Sequence, residues 1–263
     1  MYTKIESSSN EFYKHLKKLQ TKKERDKTSR YIAEGIRAVS DAVKNKADIF
    51  AIVLCEGYNP KINLEGIRVY ELSQKLFDDV KQTVNSQGII AVINYKIIDS
   101  VHADFSKYSS VLYLDSVTDP GNMGTIIRSA DALGADAIIL SKGCVDIFNP
   151  KVVRSTMASL LNVPVYTDTS TAETFKNLKE KGFDIVGTFP KAQSLSCDYN
   201  YKNKTVLVMG NEANGISDEV ASLCISSVTI PMLGNAESLN VATACTVMLY
   251  EIMIKKIKNQ NRE

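Results

Sequence analysis

The chain has 263 residues, 44% hydrophobic and 24% charged, with a net charge of +2. That is globular composition for one large or two modest domains, and no run of eighteen apolar residues offers a membrane span. The opening MYTKIESSSNEFYKHLKK lacks the apolar core of a secretory signal. Cys55, Cys144, Cys197, Cys224 and Cys245 form no C-x-x-C pair, which reads as reduced cytoplasmic thiols rather than a disulfide frame or zinc site.

Helical patterning covers about 10–24 and 31–46, the second with Ile36, Val39 and Val43 at helical spacing. Residues 14–30, KHLKKLQTKKERDKTSR, carry eight Lys or Arg and two acids, a net +6 that leaves the rest of the chain at −4. Such a segment attracts phosphate, with Lys17, Lys18, Lys22, Lys23, Arg25 and Arg30 as candidate nucleic-acid contacts. A solvated amphipathic helix with Leu16 and Leu19 inward is the alternative. AIVLCEG (51–57) and IRVYELS (67–73) read as strands, SQKLFDDV as a helix capped by Ser73, and GIIAVINY (88–95) as a further strand. Residues 1–95 thus form a compact α/β unit, and 96–110 a linker.

From 111 the alternation is regular. Strands are expected at 111–115, 137–140, 163–167, 184–189, 205–210 and 228–232. Helices are expected at 121–134, 150–161, 171–182 and 217–224, with a long last one at about 237–258. This predicts a parallel sheet covered on both faces, with ligands beyond the carboxyl ends of its strands.

His15 and His102 both precede residue 111, so a histidine-based triad or zinc site cannot be built from 111–263 alone. Neither a Walker lysine motif nor a G-x-G dinucleotide fingerprint is present. Three glycine turns follow strands instead: PGNMG (120–124), MGNEANG (209–215) and MLGNAE (232–237). Glycine lets the backbone approach a ligand, and Asn and Glu offer directed hydrogen bonds. The turns lack the cations a triphosphate demands, so a neutral or zwitterionic ligand fits better. Left-handed turns and helix caps are the plain alternative.

In order, DPGNMGTIIRSADALGAD (119–136), NEANGIS (211–217) and IPMLGNAESLNVATA (230–244) resemble the three motifs of the SpoU (TrmH-type) RNA 2′-O-ribose methyltransferases of the SPOUT superfamily. FNPKVVRSTMASLLNVPV (148–165) is similar to that family's segment after the second strand. SRYIAEGIRAVSDAV (29–43) is similar to the L30e-like substrate-binding domain of its ribosomal RNA members.

The resemblance implies an α/β fold: an L30e-like domain at 1–95, a linker at 96–110, and a parallel-sheet domain at 111–263 with a deep trefoil knot. It implies S-adenosylmethionine as cofactor, a cytoplasmic homodimer, no metal, and RNA as substrate, ribosomal RNA before transfer RNA. By motif position the catalytic set is Asn122, Arg128, Glu212, Ser238 and Asn240, and Arg128 also contacts RNA. Arg128 either handles the proton of the 2′-hydroxyl or anchors phosphate and polarises the hydroxyl; arginine stays protonated in proteins. Cofactor contacts fall to Thr188, Gly210, Ile230, Met232 and Leu239, although Met232 and Leu239 fit a plain core as well. A tRNA methyltransferase and a non-catalytic RNA-binding or ribosome-assembly protein are the alternatives.

Overall fold

A computed structural model describes residues 2–260. In chain order the elements are β1 (Thr3–Ile5), α1 (Glu11–Lys18), α2 (Lys22–Thr28), β2 (Arg30–Glu34), α3 (Ile36–Lys44), β3 (Ile49–Cys55), β4 (Val69–Leu72), α4 (Gln74–Val80) and β5 (Ile89–Asn94). There follow β6 (Ile98–Asp99), β7 (Ser110–Leu114), α5 (Pro120–Ala132), β8 (Ala137–Leu140), α6 (Pro150–Ser155), β9 (Val165–Thr167), α7 (Thr171–Glu180) and β10 (Asp184–Thr188). The chain continues through β11 (Ser194–Leu195), β12 (Thr205–Met209), α8 (Asp218–Leu223), β13 (Ser226–Thr229) and α9 (Val241–Gln260).

The chain divides into two compact units. One comprises the residues up to Lys96 together with Asp146–Asn162; the other comprises Ile97–Val145 and the residues from Val163 onward. In the first, a mixed sheet runs β1-β4-β3-β5-β2, with β3 and β2 both antiparallel to β5. Its core gathers Tyr13, Leu16, Val53, Leu72, Phe77 and Ile90. The segment 146–162 differs from the expected boundaries. It packs into the first unit, where Phe148 stacks on Tyr95 at 3.8 Å and α6 lies against β2.

Two helices expected in this unit are broken, for local reasons. The 10–24 pattern is interrupted at Leu19–Thr21; the Thr21 hydroxyl accepts from the Glu24 amide and starts α2. The 31–46 pattern begins as a strand, because Arg30–Glu34 pairs with β5 from Asn94 to Ile90. Gly35, at φ +101°, then turns the chain into α3, a conformation a side chain would strain. Ser73 occupies the cap position of α4 without a side-chain capping bond.

The second unit is one all-parallel sheet in the order β11-β13-β10-β12-β7-β8-β9-β6. Parallel strands need crossovers, and the helices supply them on both faces. Side chains alternate across the sheet. Tyr113, Ile139, Ile185, Val206 and Val208 join Phe175, Leu178 and Val220 of α7 and α8 in one core. Helices α5 and α9 pack on each other, with the hydroxyls of Ser129 and Thr246 2.7 Å apart. Their buried residues include Met123, Ile126, Ile127, Cys245, Met248 and Ile252.

The expected linker does more than connect. Residues 98–99 form the edge strand β6, and the Ser100 hydroxyl is buried 2.7 Å from that of Thr174. The helix expected over 150–161 ends at Ser155, and Met157 and Ala158 follow at φ +50° and +74°. The last helix starts later than its pattern, at Val241, because Asn240 caps it by accepting from the amides of Ala242 and Thr243.

Candidate active site

All strands of the second sheet point the same way, so the turns after β7, β12 and β13 share one edge. The first two are also neighbours. Strand β12 pairs with β7 through Met209↔Leu114, and the Asp115 amide donates to the Met209 carbonyl at 2.8 Å. The first turn runs into α5, capped by the Asp119 carboxylate, which accepts from the Asn122 amide at 2.7 Å, with Pro120 in the first turn.

The second turn is a tight loop. Asn211 and Gly215 exchange two backbone hydrogen bonds, at 2.8 and 3.0 Å. The Asn211 side chain accepts from the amides of Ala213 and Asn214 and donates to the Ser116 carbonyl at 2.7 Å. Gly210 is required here by space: a Cβ would sit 2.1 Å from the Gly215 carbonyl carbon and 2.2 Å from the Ile216 nitrogen.

This loop aims Glu212 at the start of α5. One carboxylate oxygen accepts from the Asp119 amide at 3.1 Å and from Asn122 Nδ2 at 3.1 Å. The other accepts from the amide and hydroxyl of Thr118, both at 3.3 Å, and from Asn211 Nδ2 at 3.3 Å. Burial pushes the Glu212 pKa up, but donation from Asn122 and the amides of Asp119 and Thr118 outweighs it, and the net shift is downward. The carboxylate is held ionised beside a helix N-terminus, which favours negative charge.

The third turn joins the same cluster. Asn240 Nδ2 donates to Asn122 Oδ1 at 3.0 Å. Asn122, Glu212 and Asn240 therefore form one chain of hydrogen bonds drawn from all three motifs. Two other members of the expected set stand outside it. Arg128 lies six residues along α5 from Asn122, about 120° around the helix, with an exposed guanidinium. Ser238 lies in the exposed stretch 231–240. Thr118 and Asn211 hold Glu212 without belonging to the expected catalytic set; Asn211 is the first asparagine of the MGNEANG turn, and Thr118 carries no signal in the sequence.

The expected cofactor residues fall on adjacent strands. Thr188 ends β10, Gly210 follows β12, and Ile230 follows β13, in the spatial order β13-β10-β12. The Thr188 hydroxyl donates to the Val208 carbonyl at 2.9 Å. Met232 and Leu239 are each 37% exposed rather than core, and Leu233 is fully exposed. The five positions offer backbone groups and apolar side chains, with no lysine or arginine among them. That donor set fits a zwitterion with an aromatic base better than a polyphosphate. Among the described residues no cluster of His, Cys, Asp or Glu has a metal-binding arrangement.

In the first unit the basic segment is only partly open. Lys18, Lys22 and Lys23 are exposed, and Lys17 pairs with Asp79 at 2.7 Å. Arg25 corrects the sequence expectation. It is 4% exposed, donates to the carbonyls of Leu19 and Gln20, and pairs with Asp146 at 2.6 Å, so it holds the fold and does not face a ligand. Arg30 is half-buried, its Nε donating to Asn94 Oδ1 at 3.0 Å.

Comparison with known proteins agrees with this geometry. Residues 109–250 match the SpoU rRNA Methylase family, and residues 10–91 match the MRM3-like substrate binding domain. The chain is 34% identical over 249 residues to the 23S rRNA (guanosine(2553)-2′-O)-methyltransferase RlmP of Bacillus subtilis, covering 94% of this chain and 98% of that protein. The AdoMet-bound rRNA methyltransferase from Sinorhizobium meliloti superposes with a TM-score of 0.84 at 30% identity, over 95% of this chain and 97% of that one. The SpoU methyltransferase AviRb from Streptomyces viridochromogenes, in complex with AdoMet, gives 0.83 at 27%, over 95% and 100%. Fold, site and these matches define the class as an RNA methyltransferase. The chain belongs to the SpoU rRNA methylase family, with an MRM3-like substrate-binding domain preceding the catalytic one.

Proposed function

We propose that the protein transfers a methyl group from S-adenosylmethionine to a ribose 2′-hydroxyl of 23S ribosomal RNA. The observation that carries this is the Glu212–Asn122–Asn240 chain, which unites the three motifs at one sheet edge. Support outside the chain comes from a relative named as a 23S rRNA 2′-O-methyltransferase that aligns over almost the whole length.

The cofactor supplies a methyl on a positively charged sulfur, so transfer to oxygen is an in-line displacement. The protein must fix the line of attack and let a proton leave the oxygen. Backbone at Thr188, Gly210 and Ile230, with the apolar side chains of Met232 and Leu239, would hold the donor. Glu212 fixes Asn122 from one side and Asn240 fixes it from the other, so the pocket wall is set before substrate arrives. The Arg128 guanidinium, permanently charged, anchors the target's phosphate and polarises the 2′-hydroxyl, whose proton passes to that phosphate or to water. Ser238 lies beside the reacting groups once the 231–240 segment is covered.

The reading includes a trefoil knot, formed where residues 230–240 carry the chain from β13 back to Asn122 and α9. It also includes a homodimer, in which a second copy covers exposed Leu233 and its neighbours, and a cytoplasmic site of action beside ribosomal RNA.

The test is tritiated methyl transfer to total bacterial RNA, separated into large rRNA, small rRNA and tRNA and digested to nucleosides. The expected label is a 2′-O-methyl nucleoside from large rRNA; label in tRNA or in a base overturns the reading. Arg128→Ala is expected to abolish transfer while calorimetry still detects cofactor binding.

A further inference from the structure

The first unit contains an irregular strand end. The register of β3 against β5 shifts between Ile49 and Ala51, so Phe50 is the extra residue of a β-bulge. A bulge re-aims the side chain it carries. The Phe50 ring leaves the ladder half-buried and gathers aromatic and cationic neighbours. The guanidinium carbons of Arg30 and Arg68 lie 3.4 and 5.6 Å from its centroid. Phe12 stacks at 6.3 Å, and Phe12 in turn stacks on Tyr70 at 3.9 Å.

Arg30 is engaged by the fold, through Asn94, His15 and the Phe50 ring, but two further cations beside it are open. Arg68 and Lys46 are exposed and, among the described residues, neither they nor Arg30 meets a carboxylate at ion-pair distance. The Asp48 carboxylate, on the same rim, accepts from Asn94 Nδ2 at 2.9 Å. An open cavity of about 510 Å³ lies alongside, lined by Phe50, Ile67, Arg68 and Lys46 among others. Packing alone calls for the rings but leaves the free positive charge unexplained.

We infer that this bulge platform docks one unpaired nucleotide of single-stranded RNA. The base lies flat against the Phe50–Arg68 surface, and Lys46 with Arg68 takes its phosphate. Aromatic rings and guanidinium planes are the surfaces on which unstacked bases settle, and the contact tolerates any base because every base has a π-face. A protein partner would need a carboxylate to meet Lys46 and Arg68 and a ring to meet the aromatic surface in one place; a nucleotide carries both groups in a single unit. The inference rests on RNA being the substrate and adds a second nucleotide site, in the first unit.

The test uses the full chain and a fluorescein-labelled ten-residue oligoadenylate. Binding is read by anisotropy for the wild type, Phe50→Leu, which keeps apolar bulk, and Arg68→Gln, at an exposed position. Each substitution is expected to weaken binding at least about fivefold, with an unchanged melting temperature in Arg68→Gln and the fold retained in Phe50→Leu. Oligoadenylate affinity equal to wild type in Arg68→Gln and in folded Phe50→Leu overturns the platform, as does a wild type that fails to bind. Methyl transfer to 23S rRNA, run in parallel, separates the two readings: transfer without platform effects leaves the enzyme and removes the platform.

Discussion

Asn240 Nδ2 donates to Asn122 Oδ1 at 3.0 Å, so the cap of the last helix is bonded to the first turn of α5. The same Asn122 donates through its own Nδ2 to Glu212. One amide therefore reads both neighbours, with its oxygen toward a donor and its nitrogen toward a carboxylate. Asn122→Asp puts a second carboxylate at about hydrogen-bond distance from Glu212, where two like charges resist joint ionisation. Methyl transfer is expected to fall more than about a hundredfold near neutral pH and to recover partly as the pH drops and a proton is shared. Asn122→Ala loses about ten- to hundredfold, in line with hydrogen bonds to a charged group, without that recovery. Turnover against pH for the two variants checks the difference.

Glu212 gives a pH dependence of known sign. Its folded pKa is depressed below the ordinary 4.5, so it contributes stability fully above that value, and the contribution is lost as the pH falls through the folded pKa. Glu212 is exposed, so the effect is small. The melting-temperature gap between wild type and Glu212→Gln is expected to stay constant from about pH 8 to about pH 5 and to close below the ordinary glutamate range. A gap that widens in acid contradicts the assignment of donors around this carboxylate.

Gly210→Ala tests the tight loop. The added carbon meets backbone 2.1 Å away and cannot be accommodated by a rotamer change. Overpacking of this kind costs about 1–3 kcal/mol, a fall of about 3–10 °C in a unit of this size. Cofactor affinity is expected to fall at least tenfold, since Asn211–Gly215 must shift, as measured by calorimetry on the folded variant.

Arg25→Ala separates a structural cation from the surface ones. It leaves Asp146 unpaired and the carbonyls of Leu19 and Gln20 without their donor. Breaking a buried pair from one side costs about 3–5 kcal/mol, read by urea unfolding. Lys22→Ala and Lys23→Ala are expected to change stability by less than about 0.5 kcal/mol, but to lower the salt dependence of RNA binding.

Most strands and helices after residue 111 could be read in advance because they satisfy local rules, whereas β11 and the early end of α6 could not. Apolar runs such as TVLVM are buried on both faces, and helix starts such as DPGN carry their own cap. The first unit was less legible. RYIAE followed by IRAVSDAV carries helical spacing throughout, and only pairing with β5, 60 residues later, makes its first half a strand. Arg25 looked like its lysine neighbours because composition does not report burial; its partner Asp146 is 121 positions away.

The sequence by itself determined the alternation of strand and helix, the absence of histidine after residue 111, and the three turns with their order. These are properties of neighbouring residues and of spacing, which local sterics and hydrogen bonding enforce. Only the tertiary structure decided which turns touch. Parallel pairing sets the β7 and β12 ends side by side, and the return of the chain to α9 brings Asn240 onto Asn122 from 118 residues away. It also decided that Phe50 leaves the sheet, since a bulge exists only when a second strand sets the register it breaks. Such contacts are fixed by long-range closure and burial, and no local pattern encodes them.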